Sequence, residues 1–150
     1  MAISIRPIEE CDFEDLIFLF KEFAVFEKVP ERMVNTLEQM KHEKEFILGF
    51  VARDDNNNIA GYVTCFFSYY TWVGKSLYMD DLYVKQEYRG KGIGTLLINK
   101  IIDFAKREKC NKVRWQVSSW NQPAIGFYES LGAKIDNIEM NCDLKINTTN

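Results

Sequence analysis

The segment Arg89-Gly90-Lys91-Gly92-Ile93-Gly94-Thr95 constrains this chain more than any other, because of what lies on either side of it. Before it, Ser76 to Lys85 is rich in aromatic and apolar residues and reads as a strand. After it, Ile93, Leu97, Ile101 and Ala105, joined by Ile98 and Ile102, recur with helical spacing. Alternate glycines in such a strand-to-helix turn remove side chains where the backbone bends and leave N–H groups free near the positive end of the helix. A diphosphate fits there, although glycine-rich turns also arise simply to reverse a chain.

Other phosphate and metal motifs fail against the same letters. The dinucleotide pattern needs its third glycine at Thr95, and the P-loop ending Gly74-Lys75-Ser76 needs a first glycine where Tyr69 stands. Asp54-Asp55-Asn56-Asn57-Asn58 opens like a calcium loop but has Ile59 at position six and Cys65 at position twelve, so it is expected to be a hairpin turn.

The rest of the chain supports a mixed α/β domain. Residues 3–6 read as a strand ended by Pro7, and Asp12 is placed to cap a helix carrying Phe13, Leu16, Ile17, Phe20, Phe23 and Ala24 on one face. Pro30 restarts the chain, and a weaker helical segment runs to about Lys44. Strands are expected over Phe46 to Arg53, Ile59 to Tyr70 and Ser76 to Lys85, forming an antiparallel meander. Further strands are expected over Lys112 to Ser118, Ala133 to Ile135 and Ile138 to Ile146, with a short helix from Gln122 and Pro123 to Gly132.

At 150 residues, with 47% hydrophobic and 27% charged residues, the chain suits one packed domain without an internal repeat or linker. A net charge of −3 argues against general nucleic-acid binding. The first residues show no signal-like pattern and no stretch approaches the ~20 apolar residues of a membrane span, so a cytoplasmic protein is expected. Cys11, Cys65, Cys110 and Cys142 are scattered, which suggests reduced thiols and neither zinc nor a redox pair. His42, the only histidine, reads as a surface residue, and the sequon Asn147-Thr148-Thr149 as part of a frayed tail.

With these segments in place, Arg89 to Gly94 resembles the coenzyme A loop, Q/R-x-x-G-x-G/A, of the GNAT superfamily of N-acetyltransferases. Tyr78-Met79-Asp80-Asp81-Leu82-Tyr83-Val84 resembles that family's strand leading into the loop. Trp120 to Tyr128 is similar to its later Asn and Tyr segment, and Phe127 to Ala133 to its F-Y-x-x-x-G-F/A ending. Within the superfamily, Tyr70 to Asp81 and Trp120-Asn121-Gln122-Pro123 resemble the diamine N-acetyltransferases, which include the spermidine/spermine and thialysine enzymes. Asp80 departs from that subgroup, which carries a longer glutamate there, whereas Asp81 matches.

The resemblance implies an α/β GNAT fold, one twisted and largely antiparallel sheet flanked by helices, and direct transfer of acetyl from acetyl-CoA to a small-molecule amine. It implies acetyl-CoA contacts from Leu82, Tyr83, Val84, Arg89, Gly90, Lys91, Gly92, Ile93, Gly94, Thr95, Asn121, Pro123, Ala124 and Tyr128. It implies amine contacts from Phe26, Glu27, Trp72, Asp80, Ser119 and Trp120, no metal, and a homodimer, for which the alternating segment Ile138 to Ile146 offers a strand to pair across the interface.

Chemically, the amine must lose a proton, since an alkyl ammonium has a pKa of about 10.4. The resemblance implies Asp80 as the route, through water, against the alternative of a surface or turn-capping carboxylate, while neighbouring strand side chains such as Asp80 and Asp81 face one cleft only if a bulge intervenes. A backbone N–H of Leu82 or Val84 suits the oxyanion, and the Tyr128 hydroxyl suits protonation of the leaving thiolate. Asn121 also reads as a helix cap. Two alternatives remain at this point: acetylation of a protein N-terminus or lysine on the same fold, and a non-catalytic acyl-CoA-binding module.

Overall fold

A computed structural model describes residues 2–146, so the sequon at Asn147 lies outside the described residues. The chain divides into two compact units, Met1–Gln116 and Val117–Asn150.

The first unit is built on a five-stranded sheet in the order β1-β2-β3-β4-β5. Strands β1 (Ile3–Pro7), β2 (Leu48–Asp54), β3 (Ile59–Tyr70) and β4 (Gly74–Val84) pair antiparallel in sequence order. The β2–β3 turn is the expected hairpin, in which the Asp54 carboxylate accepts from the N–H groups of Asn56 and Asn58 at 2.9 Å each. Strand β5 (Val113–Arg114) runs parallel to β4 and meets it only at Leu77 and Tyr78. Along Met79 to Val84 the second edge of β4 therefore has no strand partner among the described residues.

Helix α1 (Phe13–Phe26) covers one face of the sheet, where Phe13, Leu16, Ile17 and Leu19 pack with Val51, Tyr62, Tyr83 and Met40 of the short helix α2 (Leu37–His42). Helix α3 (Ile93–Arg107) packs on β2, β3 and β4 through the apolar stripe, with Ile93, Leu97, Ile98, Ile101 and Ala105 buried. The Phe104 ring lies 5.6 Å from that of Phe67.

Several sequence expectations are corrected. Asp12 stands at the start of α1 but its side chain caps nothing in that helix. It is fully buried and accepts from both terminal nitrogens of Arg6 at 2.7 Å, from Arg53 Nη2 at 2.8 Å and from the Glu9 N–H at 2.8 Å. Arg53 also reaches Asp15 at 3.0 Å, so one network joins β1, α1 and β2. A charge buried this deeply persists only when paired, and two guanidiniums, Arg6 from β1 and Arg53 from β2, supply the pairing.

Phe46 lies in a 3-10 turn (Lys44–Phe46) and is exposed; the strand begins at Leu48. The strand expected over Lys112 to Ser118 shrinks to the two residues of β5. No strand forms over residues 133–135 or 138–146, although Ile138, Met140, Leu144 and Ile146 alternate as a strand would and stand exposed. Alternation marks which residues a strand would bury, but a strand exists only through ladder hydrogen bonds to a partner.

The second unit contains α4 (Gln122–Ser130). Asn121 caps it, accepting from the Ala124 N–H at 3.3 Å, and Pro123 occupies its first turn. Gly132, at φ +90°, takes the left-handed conformation that ends the helix and donates to the Glu129 carbonyl.

Candidate active site

The two aspartates of β4 are placed by an irregularity in its pairing with β3. Val63 pairs with Leu82 and Cys65 with Met79, so Thr64 alone opposes both Asp80 and Asp81. Met79 and Leu82 share the α3 face with their partners, and the two residues between them both fall on the α1 face. The open question about Asp80 and Asp81 is thereby answered: the bulge exists. The Asp81 N–H donates to Thr64 Oγ1 at 3.1 Å, and Tyr62 Oη donates to Asp81 Oδ2 at 2.8 Å.

The electrostatics follow from this crowding. Burial, reinforced by the charges of Asp80 and Glu27 and opposed by the Tyr62 hydrogen bond, pushes the Asp81 carboxyl from its usual 3.8 up to about 6. Asp80 is exposed to solvent, yet the protein atoms around it desolvate its carboxyl enough to raise its pKa as well. Burial, followed by the Asp81 charge, drives the Tyr62 phenol well above its usual 10, so it remains a donor.

Around this pair the first unit gathers several expected site residues. Phe26 and Glu27 end α1, and the Phe26 ring meets Tyr83 edge-on at 6.3 Å. The Tyr83 hydroxyl donates to Glu22 at 2.6 Å. Arg89 Nε donates to the Val84 carbonyl at 2.8 Å, and its guanidinium lies 4.8 Å from the Phe26 ring centre and 5.5 Å from that of Tyr83. This fixes the start of the glycine loop against the end of β4.

The loop itself has the properties an anion needs. Gly90 (φ +78°) and Gly92 (φ +79°) adopt left-handed backbone, and a Cβ at Gly90, Gly92 or Gly94 would meet no atom within 4 Å. Gly92 supplies no side-chain cap to α3, and the first turn holds no acidic residue, so the N–H groups of Ile93, Gly94 and Thr95 lack intrahelical partners beside Arg89 and Lys91. Open space over bare backbone fits a diphosphate.

Not every expected residue joins this group. Trp72 sits in the β3–β4 turn, 98% exposed; the six steps from Gly74 to Asp80 put that end of β4 about 20 Å from Asp80 at roughly 3.3 Å per step. Ser119, Trp120, Asn121, Pro123, Ala124 and Tyr128 lie in the second unit, where Tyr128 is on α4 with its ring 5.4 Å from that of Phe127. The Asn121 cap uses Oδ1, which leaves its amide group with donor capacity. Sequence reasoning missed Tyr62 and Thr64, whose roles depend on cross-strand register. Among the described residues no cluster of three or more His, Cys, Asp or Glu could hold a metal, and no helix is long and apolar enough to cross a membrane.

An open glycine turn at a helix start, a β4 edge unpaired beyond its centre and an adjacent carboxylate pair all belong to the first unit. The Acetyltransferase (GNAT) family matches residues 5–133, and the chain belongs to that family. The thialysine N-epsilon-acetyltransferase of Bos taurus is 33% identical over 143 residues, covering 88% of this chain and 84% of that protein. The spermidine/spermine N(1)-acetyltransferase-like protein 1 of Homo sapiens is 31% identical over 87% of this chain but only 20% of its own length. An integron cassette protein of V. cholerae is similar in structure, with a TM-score of 0.79 and 25% identity over 98% of this chain and 94% of the other. The protein is therefore an acetyltransferase, and its family uses acetyl-CoA as the donor.

Proposed function

We propose that this acetyltransferase acts on a small amine that carries a second positive charge, a diamine, polyamine or lysine-like molecule, in the cytoplasm. The observation that carries the reading is the bulge that turns Asp80 and Asp81 to one face, where the charges acting on Asp81 from the described residues, Asp80 and Glu27, are both negative. Such a site attracts ammonium groups. The bovine relative is a thialysine N-epsilon-acetyltransferase and the human one is spermidine/spermine N(1)-acetyltransferase-like, and the compounds in both names are amines of that kind.

In this reading residues 1–150 act as one catalytic domain, and the loop from Arg89 to Thr95 holds the diphosphate through backbone N–H groups. Leu82, Tyr83 and Val84, on the open edge of β4, face the pantetheine arm, and an N–H of Leu82 or Val84 binds the developing oxyanion. Asn121, Pro123 and Ala124 contribute to the same arm. Phe26, Glu27, Ser119 and Trp120 bind the amine, with Glu27 meeting the distal ammonium and Asp80 receiving the reacting one, whereas Trp72 stands too far along β4 to reach an amine held there.

Transfer is direct. The ammonium loses one proton to the aspartate side, its nitrogen lone pair attacks the thioester carbonyl carbon, and the tetrahedral species expels the thiolate. Tyr128 protonates that sulfur and regains a proton from the nitrogen, so amide, CoA thiol and one released proton balance the ammonium and the thioester. A homodimer completes the proposal, supported by the exposed alternating residues Ile138, Met140, Leu144 and Ile146.

The test is release of CoA thiol with acetyl-CoA and spermidine, thialysine, a monoamine and a lysine-containing peptide. Faster turnover of the first two is expected. Equal use of the monoamine removes the second-charge requirement, and preference for the peptide moves the substrate to protein.

A further inference from the structure

We propose that Tyr62 is a positioning residue that fixes Asp81, through the hydrogen bond to Oδ2, as the carboxylate that takes the proton from the attacking amine. The proposal deepens the acetyl-transfer reading and rests on it. Asp80 then meets the ammonium at the solvent-exposed side, and the proton passes to Asp81.

The geometry separates the two aspartates. Asp81 is held at both ends, its N–H on Thr64 Oγ1 at 3.1 Å and its Oδ2 on the Tyr62 hydroxyl at 2.8 Å, whereas Asp80 is exposed. Tyr62 is itself rigid: it is fully buried, and its ring packs edge-on against Phe20 at 5.1 Å. A base whose position is set before the amine arrives gives up no freedom when the proton moves.

The groups facing Asp81 are Asp80 on its own strand, Tyr62 on β3 and Glu27 at the end of α1. The two carboxylates make Asp81 a better proton acceptor, and the phenol limits that effect. With its carboxyl near 6, Asp81 takes a proton from an alkyl ammonium at ~10.4 across about 4 pH units, against roughly 6.5 for an ordinary aspartate. The bond broken is N–H on the ammonium and the bond formed is O–H on Asp81, which afterwards loses that proton to water.

A buried tyrosine also needs a hydrogen-bond acceptor simply to fold, so the test must read more than stability. Tyr62→Phe removes one hydroxyl and keeps the ring. In the substrate-free variant, carbon-detected NMR of labelled aspartates is expected to show the Asp81 titration moved upward by roughly one pH unit, about the size of one charge-assisted hydrogen bond. The acidic limb of kcat/KM for spermidine should rise by the same amount, and the rate above that limb should also fall, because Asp81 is no longer held before the amine arrives. An Asp81 midpoint that stays in place, or one that moves while the acidic limb does not, overturns the proposal.

Asp81→Asn gives a second reading should Tyr62→Phe not fold, because the asparagine oxygen still accepts from Tyr62. Its kcat should fall by about 10²–10⁴ with acetyl-CoA binding retained. Wild-type turnover in Asp81→Asn, with Asp80→Asn alone abolishing the acidic limb, assigns the proton to Asp80 and overturns the proposal. A wild-type protein that acetylates no amine overturns the underlying reading instead, and the substrate-free titration then reports the Tyr62–Asp81 bond by itself.

Discussion

Asp80 and Asp81 are consecutive residues of one strand and yet stand on the same face of the sheet, because both oppose Thr64. Like charges held side by side in a partly desolvated place raise each other's pKa, and that is a cost to folding as well as a resource for chemistry.

The cost has a definite sign. Asp81 binds its proton more tightly folded, at about 6, than unfolded, at 3.8, so its ionisation lowers stability as pH rises between those values. Asp81→Asn is therefore expected to raise the melting temperature by a few degrees near pH 8 and to lose that advantage at about pH 3.5. Thermal unfolding across this range checks it; a gain that is independent of pH would assign the effect to packing.

Asp12 has the opposite sign. Burial pushes its carboxyl up, but the hydrogen bonds from Arg6 and Arg53 outweigh that and hold it at about 2, below the usual 3.8. Its contribution is complete above the unfolded value and is lost as pH falls through the folded one. Asp12→Ala should cost about 1–3 kcal/mol at neutral pH, since Arg53 Nη2 loses its acceptor while Nη1 keeps Asp15 and the Asn57 carbonyl, and should flatten the acid unfolding profile. Urea titrations at several pH values measure both.

Gly94 separates folding from binding. It lies in the first turn of α3 without a left-handed backbone, and a Cβ there meets no protein atom. Gly94→Ala should raise stability by up to about 1 kcal/mol through helix propensity, yet reduce the thermal shift caused by acetyl-CoA if the diphosphate lies against that backbone. An unchanged shift would place the anion elsewhere.

Two kinetic variants distinguish anchoring from proton transfer. Glu27→Gln should raise KM for a diamine far more than it lowers kcat, whereas Tyr128→Phe should lower kcat by about 10²–10⁴ and leave acetyl-CoA affinity nearly unchanged. Steady-state kinetics with spermidine, supplemented by a direct acetyl-CoA titration, decides each case.

A light-scattering mass of 17.6 kDa at high micromolar concentration would exclude the homodimer. A mass twice that is expected, falling on truncation at Asn137, which removes the alternating segment.

Local chemistry was legible in the sequence where one segment decides its own conformation. The stripe from Ile93 to Ala105 is the buried face of α3, and the bounds of β3 agree with the expected Ile59 to Tyr70. What depended on distant partners was not. Asp12 looked like a cap because its pairing depends on the packing of β1 and β2 beside it, with Arg53 41 residues away, and the terminal alternation at Ile138 suggested a strand without saying what it would pair with. The common face of Asp80 and Asp81 is a property of the β3–β4 register, and so is the role of Tyr62, which by itself is one more aromatic in an apolar run.

The bulge is, arithmetically, one residue too many. Remove either aspartate and Met79 is separated from Leu82 by a single position, so an ordinary alternating strand still turns both toward α3 and leaves the rest of β4 in its present pairing with β3. Removing one residue elsewhere in β4 would instead turn part of the strand over. A one-residue deletion at this point is thus the rare one that the sheet absorbs without repacking, and what the shortened chain gives up is a carboxylate rather than a fold.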